Sequence, residues 1–359
     1  MNGQSHSGRQ MAKSSEITES WQIGELATPI GSVPVIATRL SAKDKLGAWK
    51  VRWGIGRMNY KVSPGLYAVG EPDEASPVLV SANYKLTFDA LRQELSGLDC
   101  WVLILDTDGI NVWCAAGKGT FGTEELVSRI QAAGLSEIVS HRLIILPQLA
   151  ASGVGAQDIP QRTGFHVEYG PVRASDIKEF ISSGNEATEE MRLVSFTFKD
   201  RLVLVPMELV PAIKMSLPIL GVVFLSNQFA RKPLGKKDLA AFAGAVIAGS
   251  VATPLLLPYI PGKAFSLKGW LAGLCWTAGS LQLSKGFELQ DRMLAAGELL
   301  LFPAISSYLA LNFTGSSTYT SPSGVKKELK YAMPLISGAA AIGGVLMAAA
   351  HLFGKGEKK

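Results

Sequence analysis

The pattern of apolar and polar positions divides the chain into two parts. Before about Arg201, short apolar runs alternate with stretches in which apolar residues recur every three or four positions. The runs are typical of buried strands, and the recurring positions are typical of amphipathic helices. Six strands are predicted on this basis: Val33–Thr38, Gly65–Val69, Val78–Ser81, Trp101–Leu105, Leu143–Leu146 and His166–Tyr169.

Helices are predicted between these strands where a capping residue precedes a periodic stretch and a glycine follows it. Thr87 precedes Phe88–Leu95, Thr123 precedes Glu124–Ala133, and Ser175 precedes Asp176–Ser182. Alternating strands and helices predict a Rossmann-like α/β domain with a largely parallel sheet. In such sheets ligands bind at the carboxyl ends of the strands.

Beyond Arg201 the chain consists mainly of long apolar segments, each close to or above the ~20 residues that cross a bilayer. Five are predicted to be transmembrane helices: Leu202–Leu225, Leu239–Ile260, Phe265–Leu283, Met293–Phe313 and Tyr331–Phe353. The last contains small residues between Gly338 and Gly344, which favour close helix packing. Domain boundaries are therefore expected at 21–195 for the α/β domain and 196–353 for the transmembrane domain.

Charged residues in and around the apolar segments leave two questions open. Glu208, Lys214 and Glu298 are either functional groups in the membrane or side chains that reach the interface near helix ends. Basic residues crowd two loops that would lie on opposite sides of the membrane, so the positive-inside rule does not fix the topology. These residues are Arg231, Lys232, Lys236, Lys237, Lys326, Lys327 and Lys330.

Composition adds three expectations. The 359-residue chain has a formal net charge of +5, with basic residues flanking apolar runs and in the tail 354–359. This distribution favours contact with membrane lipid over nucleic acid. Residues 1–20 are polar and lack the apolar core of a signal peptide, so they are expected to form a disordered lead-in. The three cysteines, Cys100, Cys114 and Cys275, form no CxxC pair, so no iron–sulfur cluster is expected in this chain.

Cys114 is the candidate for chemistry in the soluble part. It follows the strand Trp101–Leu105 and the turn Asp106–Gly109, and Asn111 is a favourable N-cap for a short helix. Cys114 then occupies about the third helical position, where free N–H groups and the helix dipole favour a thiolate. On spacing alone, a buried cysteine that packs as a small hydrophobic residue is the more common case.

The stretch Asn111-Val112-Trp113-Cys114-Ala115-Ala116-Gly117-Lys118 resembles the cap-helix motif of the mercury-methylating corrinoid proteins, the HgcA family. Four stretches, one of which contains this motif, are similar to the corrinoid-binding region which that family shares with the large subunit of the corrinoid iron–sulfur protein. They are VRWGIGRMNYKVSPGLYAVG from Val51, SANYKLTF from Ser81, Leu105–Phe121 and YGPVRASDI from Tyr169. A corrinoid domain followed by five membrane helices also matches the HgcA family.

The resemblance implies a cobalamin cofactor, with Cys114 as the lower axial ligand of its cobalt. The helix residues around it would form the cap beneath the corrin ring, with small side chains that let the flat ring approach; these are Asn111, Val112, Trp113, Ala115, Ala116, Gly117 and Lys118. Further contacts to the corrin or its tail are implied for Asn83, Thr87, Gly153 and Ser175.

The resemblance also implies transfer of a methyl group from cysteine-ligated methylcobalamin to Hg(II), forming methylmercury. Hg(II) is electron-poor, so the methyl group must arrive with bonding electrons, which a sulfonium or folate donor does not supply. The implied partners are a small ferredoxin with 4Fe–4S clusters as electron donor and methyltetrahydrofolate as the methyl source. The corrinoid domain would face the cytoplasm from a multi-pass position in the cytoplasmic membrane.

Two other functions are consistent with parts of the sequence. One is a membrane-anchored methyl carrier of an acetyl-CoA pathway, although the corrinoid iron–sulfur protein has a four-cysteine region near its start and no cysteine precedes Cys100 here. The other is cobalamin binding or transport without methyl transfer. An axial thiolate is not needed for simple carriage, so Cys114 favours the methyltransferase.

Overall fold

The computed structural model describes residues 19–230, 235–283 and 289–353. Most of the predicted lead-in and the whole basic tail 354–359 lie outside these residues, as do Arg231 and Lys232. The described chain forms two compact units. The first comprises the described residues up to Ala48 together with Met58–Leu193, and the second comprises Trp49–Arg57 and the described residues from Val194 onward.

The first unit is built on a seven-stranded sheet in the order β1-β2-β3-β5-β4-β6-β7. The strands are β1 (Gln22–Thr28), β2 (Gly31–Ile36), β3 (Gly65–Val69), β4 (Val78–Ala82), β5 (Cys100–Leu105), β6 (Leu143–Leu146) and β7 (His166–Tyr169). All six predicted strands are confirmed, and β1 was not predicted. The sheet is mixed, because β1 pairs with β2 and β3 pairs with β5 in antiparallel fashion while the other four pairs are parallel.

The helices of the α/β region are α1 (Ala42–Arg52), α2 (Lys85–Glu94), α3 (Val112–Lys118), α4 (Thr123–Ala132), α5 (Leu135–Ile138), α6 (Ile159–Thr163) and α7 (Ile177–Ser182). Helices α2, α3, α4 and α7 agree with the predicted positions within a few residues, whereas α1, α5 and α6 were not predicted. The last four residues of α1 belong to the second unit. Three predicted caps are wrong. Thr87 lies inside α2, which begins after Tyr84, and Thr123 is the first residue of α4 after the N-cap Gly122. The N-cap of α7 is Asp176 and not Ser175. Ser175 lies in a 3₁₀ turn that leads into α7.

Strand β5 lies at the centre of the core, and all of its residues are buried. Its alternate side chains point to opposite faces of the sheet. Trp101, Leu103 and Leu105 join one apolar cluster with α3 and α4, whereas Cys100, Val102 and Ile104 join a second cluster with α2 and α7. The sheet is therefore covered on both faces, and the continuous apolar run that predicted β5 reflects burial on both sides.

The second unit is helical. Its helices are α8 (Phe198–Asn227), α9 (Lys236–Ile247), α10 (Thr253–Leu255), α11 (Phe265–Leu283), α12 (Leu289–Asn312) and α13 (Pro322–Phe353), with a π-helical segment, Ala248–Ala252, that joins α9 to α10. In the described residues, four helical stretches are long and apolar enough to cross a membrane: Phe198–Leu225, Lys236–Leu255, Arg292–Ser316 and Ser323–Leu352.

The predicted span Phe265–Leu283 is helical, but it is not among the stretches that are long and apolar enough to cross a membrane. Its 19 residues include Lys268, Gln282 and several glycines, which lower its mean hydropathy. The small residues of α13 are only partly used in packing: a side chain at Gly343 would lie 2.7 Å from the carbonyl oxygen of Gly297 in α12, while one at Gly338 or Gly344 would meet no neighbour. Gly343 is thus the point of close approach between these two helices.

Candidate functional site

A cavity of about 430 Å³ opens in the first unit at the carboxyl ends of β4 and β6. The chain leaves β4 for β5 on one side and then crosses to β6 on the other, so the direction of strand order reverses between β4 and β6. Open α/β sheets bind ligands at such a reversal. The volume lies within the range of ordinary small-molecule sites.

The lining of this cavity is apolar and carries no charged side chain. Its polar members are Ser81, Tyr84, Thr87 and Asn111, and Trp113 borders it from α3. The remaining lining includes residues that the sequence analysis missed, which follow the ends of β6 and β7: Pro147, Leu149, Pro171, Val172 and Ala174. Pro147 follows the last residue of β6 and Gly170-Pro171 follows the last residue of β7, and this shared position after a parallel strand could have identified them.

Helix α3 begins at the edge of the cavity. Asn111 has an extended backbone (φ −67°, ψ 160°), and its side-chain oxygen accepts a hydrogen bond from the backbone N–H of Cys114 at 3.0 Å. Cys114 is the third residue of the helix, and Gly119 ends it in a left-handed conformation (φ 85°). The predicted cap and the predicted position of Cys114 are both confirmed.

The two faces of α3 differ sharply in exposure. Trp113, Cys114, Gly117 and Lys118 are exposed, whereas Val112, Ala115 and Ala116 are buried. The expected role of the two alanines as small side chains facing a ring is corrected here, because both pack into the core. Gly117 fits that role instead: it follows Cys114 by about one helical turn, and a side chain there would meet nothing within 4 Å.

The turn that leads into α3 is held by Asn83, which is buried at the end of β4. Its side-chain oxygen accepts hydrogen bonds from the backbone N–H groups of Thr107 and Gly109 and from the Thr107 hydroxyl, at 2.9–3.1 Å. Its amide nitrogen donates to Asp106 Oδ1 at 2.9 Å. Asn83 therefore acts within the protein, and the turn it supports carries Asp108 at φ 55°.

The other residues predicted to contact the cofactor, Thr87, Gly153 and Ser175, lie in three different surroundings. Thr87 lines the cavity. Gly153 lies against α3, and a side chain there would come within 2.8 Å of the Ala116 Cα. Ser175 is exposed, and its hydroxyl donates to Asp176 Oδ1 at 2.9 Å. The structure thus brings Thr87, Asn111, Val112 and Trp113 to the cavity and leaves Cys114 on the adjoining exposed face.

Titratable groups of the described residues give no metal site of their own. Within the described ranges, no three His, Cys, Asp or Glu side chains lie close enough together to hold a metal ion. Cys114 is exposed, while Cys100 is buried in β5, where burial and the Asp99 charge raise the pKa of its thiol to about 12. Of these two cysteines of the α/β unit, Cys114 is the accessible one.

Comparison with known proteins places this site inside a recognised region. Residues 52–181 match the family described as CO dehydrogenase/acetyl-CoA synthase delta subunit. The chain is also similar to the acetyl-CoA decarbonylase/synthase complex subunit gamma of Methanopyrus kandleri, with 37% identity over 123 residues, which are 34% of this chain and 26% of the relative.

The same subunit shows similar matches in two further organisms. In Methanocaldococcus jannaschii the identity is 39% over 122 residues, 33% of this chain and 25% of the relative. In Archaeoglobus fulgidus it is 32% over 127 residues, 35% of this chain and 27% of the relative. The chain therefore spans about a quarter of the length of these relatives, and the matched family region contains both α3 and the cavity.

Proposed function

We propose that the protein is a membrane-attached corrinoid methyltransferase in which Cys114 is the protein ligand of the corrinoid cobalt. One observation carries this proposal: the exposed thiol of Cys114 lies in the capped first turn of α3, beside the cavity at the strand-order reversal. The similarity of residues 52–181 to subunits of a corrinoid-dependent complex supports the choice of cofactor.

The residues of the site fit such a cofactor. The exposed face of α3 has no side chain at Gly117, which leaves room for a flat macrocycle next to the Cys114 sulfur. The neighbouring cavity is neutral and mostly apolar, so it suits an aromatic base such as the benzimidazole tail of cobalamin. Thr87 and Asn111 offer hydrogen-bonding groups at its wall.

A bound corrinoid supplies a cobalt ion that accepts a methyl group from a donor and passes it to an acceptor. Cys114 would supply the protein ligand of the cobalt, and a cysteine thiolate is a soft, electron-donating ligand. Asn111 fixes the backbone of Cys114 by accepting its N–H, and Asn83 fixes the turn before it. These contacts hold the sulfur in one place while the cofactor is bound.

The acceptor we propose is Hg(II), because a thiolate ligand promotes release of the methyl group together with bonding electrons, which Hg(II) needs. Methyltetrahydrofolate is the proposed methyl source, and a small ferredoxin with 4Fe–4S clusters is the proposed electron donor. The apolar helices would hold the chain in the cytoplasmic membrane, with the corrinoid domain on the cytoplasmic side.

A second candidate is a methyl carrier for an acetyl-CoA-forming complex. The observation that favours it is the name shared by the curated relatives, acetyl-CoA decarbonylase/synthase complex subunit gamma. On this alternative the same site would hold the same class of cofactor, but the methyl group would be passed to a partner enzyme and not to a metal ion.

Both candidates are tested by one assay on the purified full chain loaded with corrinoid and supplied with methyltetrahydrofolate and reduced ferredoxin. We expect methylmercury with Hg(II) as acceptor, none from Cys114→Ala, and normal amounts from the matched variant Cys275→Ala. Full activity of Cys114→Ala would refute the role of this thiol. Methyl delivery to acetyl-CoA-forming subunits without methylmercury would favour the carrier.

A further inference from the structure

Residues Trp49–Arg57, here called the tryptophan segment, combine exposed aromatic and apolar side chains with positive charge. Trp49 is 56% exposed and Ile55 is 58% exposed, while Trp53 is half-buried and its ring lies 6.0 Å from that of Trp49. Exposed apolar side chains grouped in this way mark interaction surfaces. Val51, on the opposite side of the helix, is buried.

The backbone of the segment explains why Ile55 emerges beside the two tryptophans. Gly54 has φ 78°, its N–H bonds to the carbonyl of Val51, and the N–H of Ile55 bonds to the carbonyl of Lys50. This pair of bonds is the Schellman arrangement that ends a helix at a left-handed glycine. The chain turns sharply there, so Ile55 lies close to the end of the helix.

The segment lies against α8 within the second unit. A side-chain carbon at Gly54 would be 3.8 Å from Cγ1 of Val210. Only 6% of the residues in the most apolar stretch of Phe198–Leu225 are buried inside the protein, so most of this stretch needs a covering. A surface continuous with such a helix will meet whatever surrounds the helix.

The charge of the tryptophan segment indicates which kind of partner would cover it. Between residues 49 and 57 there are three basic residues, Lys50, Arg52 and Arg57, and no acidic one. Tryptophan concentrates at membrane–water interfaces, and lysine and arginine are attracted to anionic headgroups. The combination matches the headgroup layer of an anionic bilayer.

We propose that the tryptophan segment lies in the headgroup layer of an anionic membrane, beside α8. This inference rests on the proposed insertion of the apolar helices into a bilayer. It adds a second, peripheral membrane contact that is separated in sequence from the apolar helices by more than a hundred residues.

Depth-dependent quenching of a fluorophore tests the proposal on the full chain. Cys114→Ser and Cys275→Ser remove the exposed thiols, and Ile55→Cys then provides one site for a bimane label, since Cys100 is buried. The protein is reconstituted in phosphatidylcholine vesicles containing phosphatidylglycerol, with bromine atoms on the acyl chains either near the carbonyl end or near the methyl end. We expect quenching at Ile55 that is stronger with bromines near the carbonyl end.

Two matched labels separate failure of this inference from failure of membrane insertion. Leu335→Cys lies on α13 and is 75% exposed at the native residue, and Ile23→Cys lies on β1 and is 67% exposed. Strong quenching at Leu335 and none at Ile23 are expected. If Leu335 is unquenched, insertion itself fails and the inference fails with it. If Leu335 is quenched but Ile55 behaves like Ile23, only the inference is overturned.

Protein contact is distinguished from lipid contact by an aqueous quencher. A label at Ile55 that neither brominated lipid nor iodide quenches would be covered by protein, and that result also overturns the proposal. Replacement of Lys50, Arg52 and Arg57 by Gln should weaken lipid quenching at Ile55 by about twofold or more in anionic vesicles, because each charge is attracted to the headgroups. An unchanged signal would contradict the electrostatic part of the proposal.

Discussion

Two asparagine side chains determine where Cys114 lies. Asn111 caps α3 by accepting the N–H of Cys114, and Asn83 accepts three hydrogen bonds from the turn that leads into the helix. The Asn111 oxygen bonds the backbone of the helix, and Asn83 bonds the backbone and side chains of the preceding turn. The thiol therefore owes its position to local hydrogen bonding at the end of β4 and the beginning of α3.

Replacement of Asn83 by Ala tests this dependence. The change would leave the buried N–H of Thr107 and the partly buried N–H of Gly109 without their acceptor, and an unsatisfied buried group costs about 1–3 kcal/mol. We expect a fall of several degrees in the thermal midpoint of the α/β unit, measured by circular dichroism. The control Ser175→Ala removes only an exposed hydroxyl and should leave the midpoint unchanged. Equal midpoints for both variants would contradict the structural role of Asn83.

For single residues, the sequence predicts features that depend on neighbouring residues in the chain. It does not predict features that depend on tertiary packing. The Asn111 cap and the helical position of Cys114 follow from residue type and spacing. The burial of Ala115 and Ala116 depends on which face of α3 meets β4, β5 and the 148–150 turn, and no local pattern records that. The role of Asn83 was also hidden, because its partners lie more than twenty residues away.

Helices α1 and α2 are joined by a buried network of four charges. Lys85 contacts Asp44 at 2.8 Å and Asp89 at 2.7 Å, and Arg92 contacts Asp44 at 2.9 Å and Asp89 at 2.8 Å. Burial alone would raise the pKa of Asp44, but hydrogen bonds from Lys85 and Ser41 outweigh it and hold that pKa well below its usual range. The network therefore stabilises the contact between the two helices.

This network predicts a specific loss of stability in acid. Because the pKa of Asp44 is lower in the folded state than in the unfolded state, its contribution is complete above about pH 4 and declines as the pH falls further. We expect Asp44→Asn to lower the free energy of unfolding at neutral pH by on the order of 3–5 kcal/mol and to reduce the acid dependence. Urea unfolding at a series of pH values measures both effects.

The matched control is Glu124→Gln, which breaks an exposed pair with Arg162. Solvent screens such a pair, so a much smaller loss at neutral pH is expected. A loss equal to that of Asp44→Asn would show that the buried network has no special weight.

At the scale of elements, the sequence predicts the buried strands and misses the exposed ones. Strand β1 is mostly exposed, so it lacks the apolar run that identified the others. Helix α1 includes Gly47 and an exposed tryptophan, which interrupt the usual amphipathic pattern. The antiparallel direction of β3 relative to β5 depends on the connection between β3 and β4, and apolar periodicity does not contain that information.

The whole molecule combines an α/β unit that carries a cavity with a helical unit that carries long apolar helices. The sequence predicts this division because short apolar runs alternate with amphipathic stretches in the α/β unit, whereas long apolar segments fill the helical unit. Five spans were predicted, and α11 is helical but is not among the four described stretches that are long and apolar enough to cross a membrane. Whether α11 lies in lipid depends on how it packs against the other helices of the unit.

The reactivity of the three cysteine thiols tests whether α11 faces lipid. In nanodiscs, a charged thiol reagent should modify Cys114, which is exposed on α3, and leave Cys275, which is exposed on α11 but would face lipid. A membrane-permeant reagent should modify both. Cys100 should react only after unfolding, because burial raises the pKa of its thiol to about 12. Equal rates at Cys275 and Cys114 with the charged reagent, read by mass spectrometry, would contradict a lipid-facing α11.

The proposed function rests on the claim that Cys114 is the protein ligand of a corrinoid cobalt. Its most direct test is the spectrum of the full chain loaded anaerobically with cobalamin, compared among the wild type, Cys114→Ala and the matched variant Cys275→Ala. We predict a Co(II) electron paramagnetic resonance spectrum without nitrogen hyperfine splitting for the wild type and Cys275→Ala, and an altered spectrum for Cys114→Ala. Benzimidazole nitrogen splitting in the wild type, or identical spectra for all three proteins, would contradict the claim.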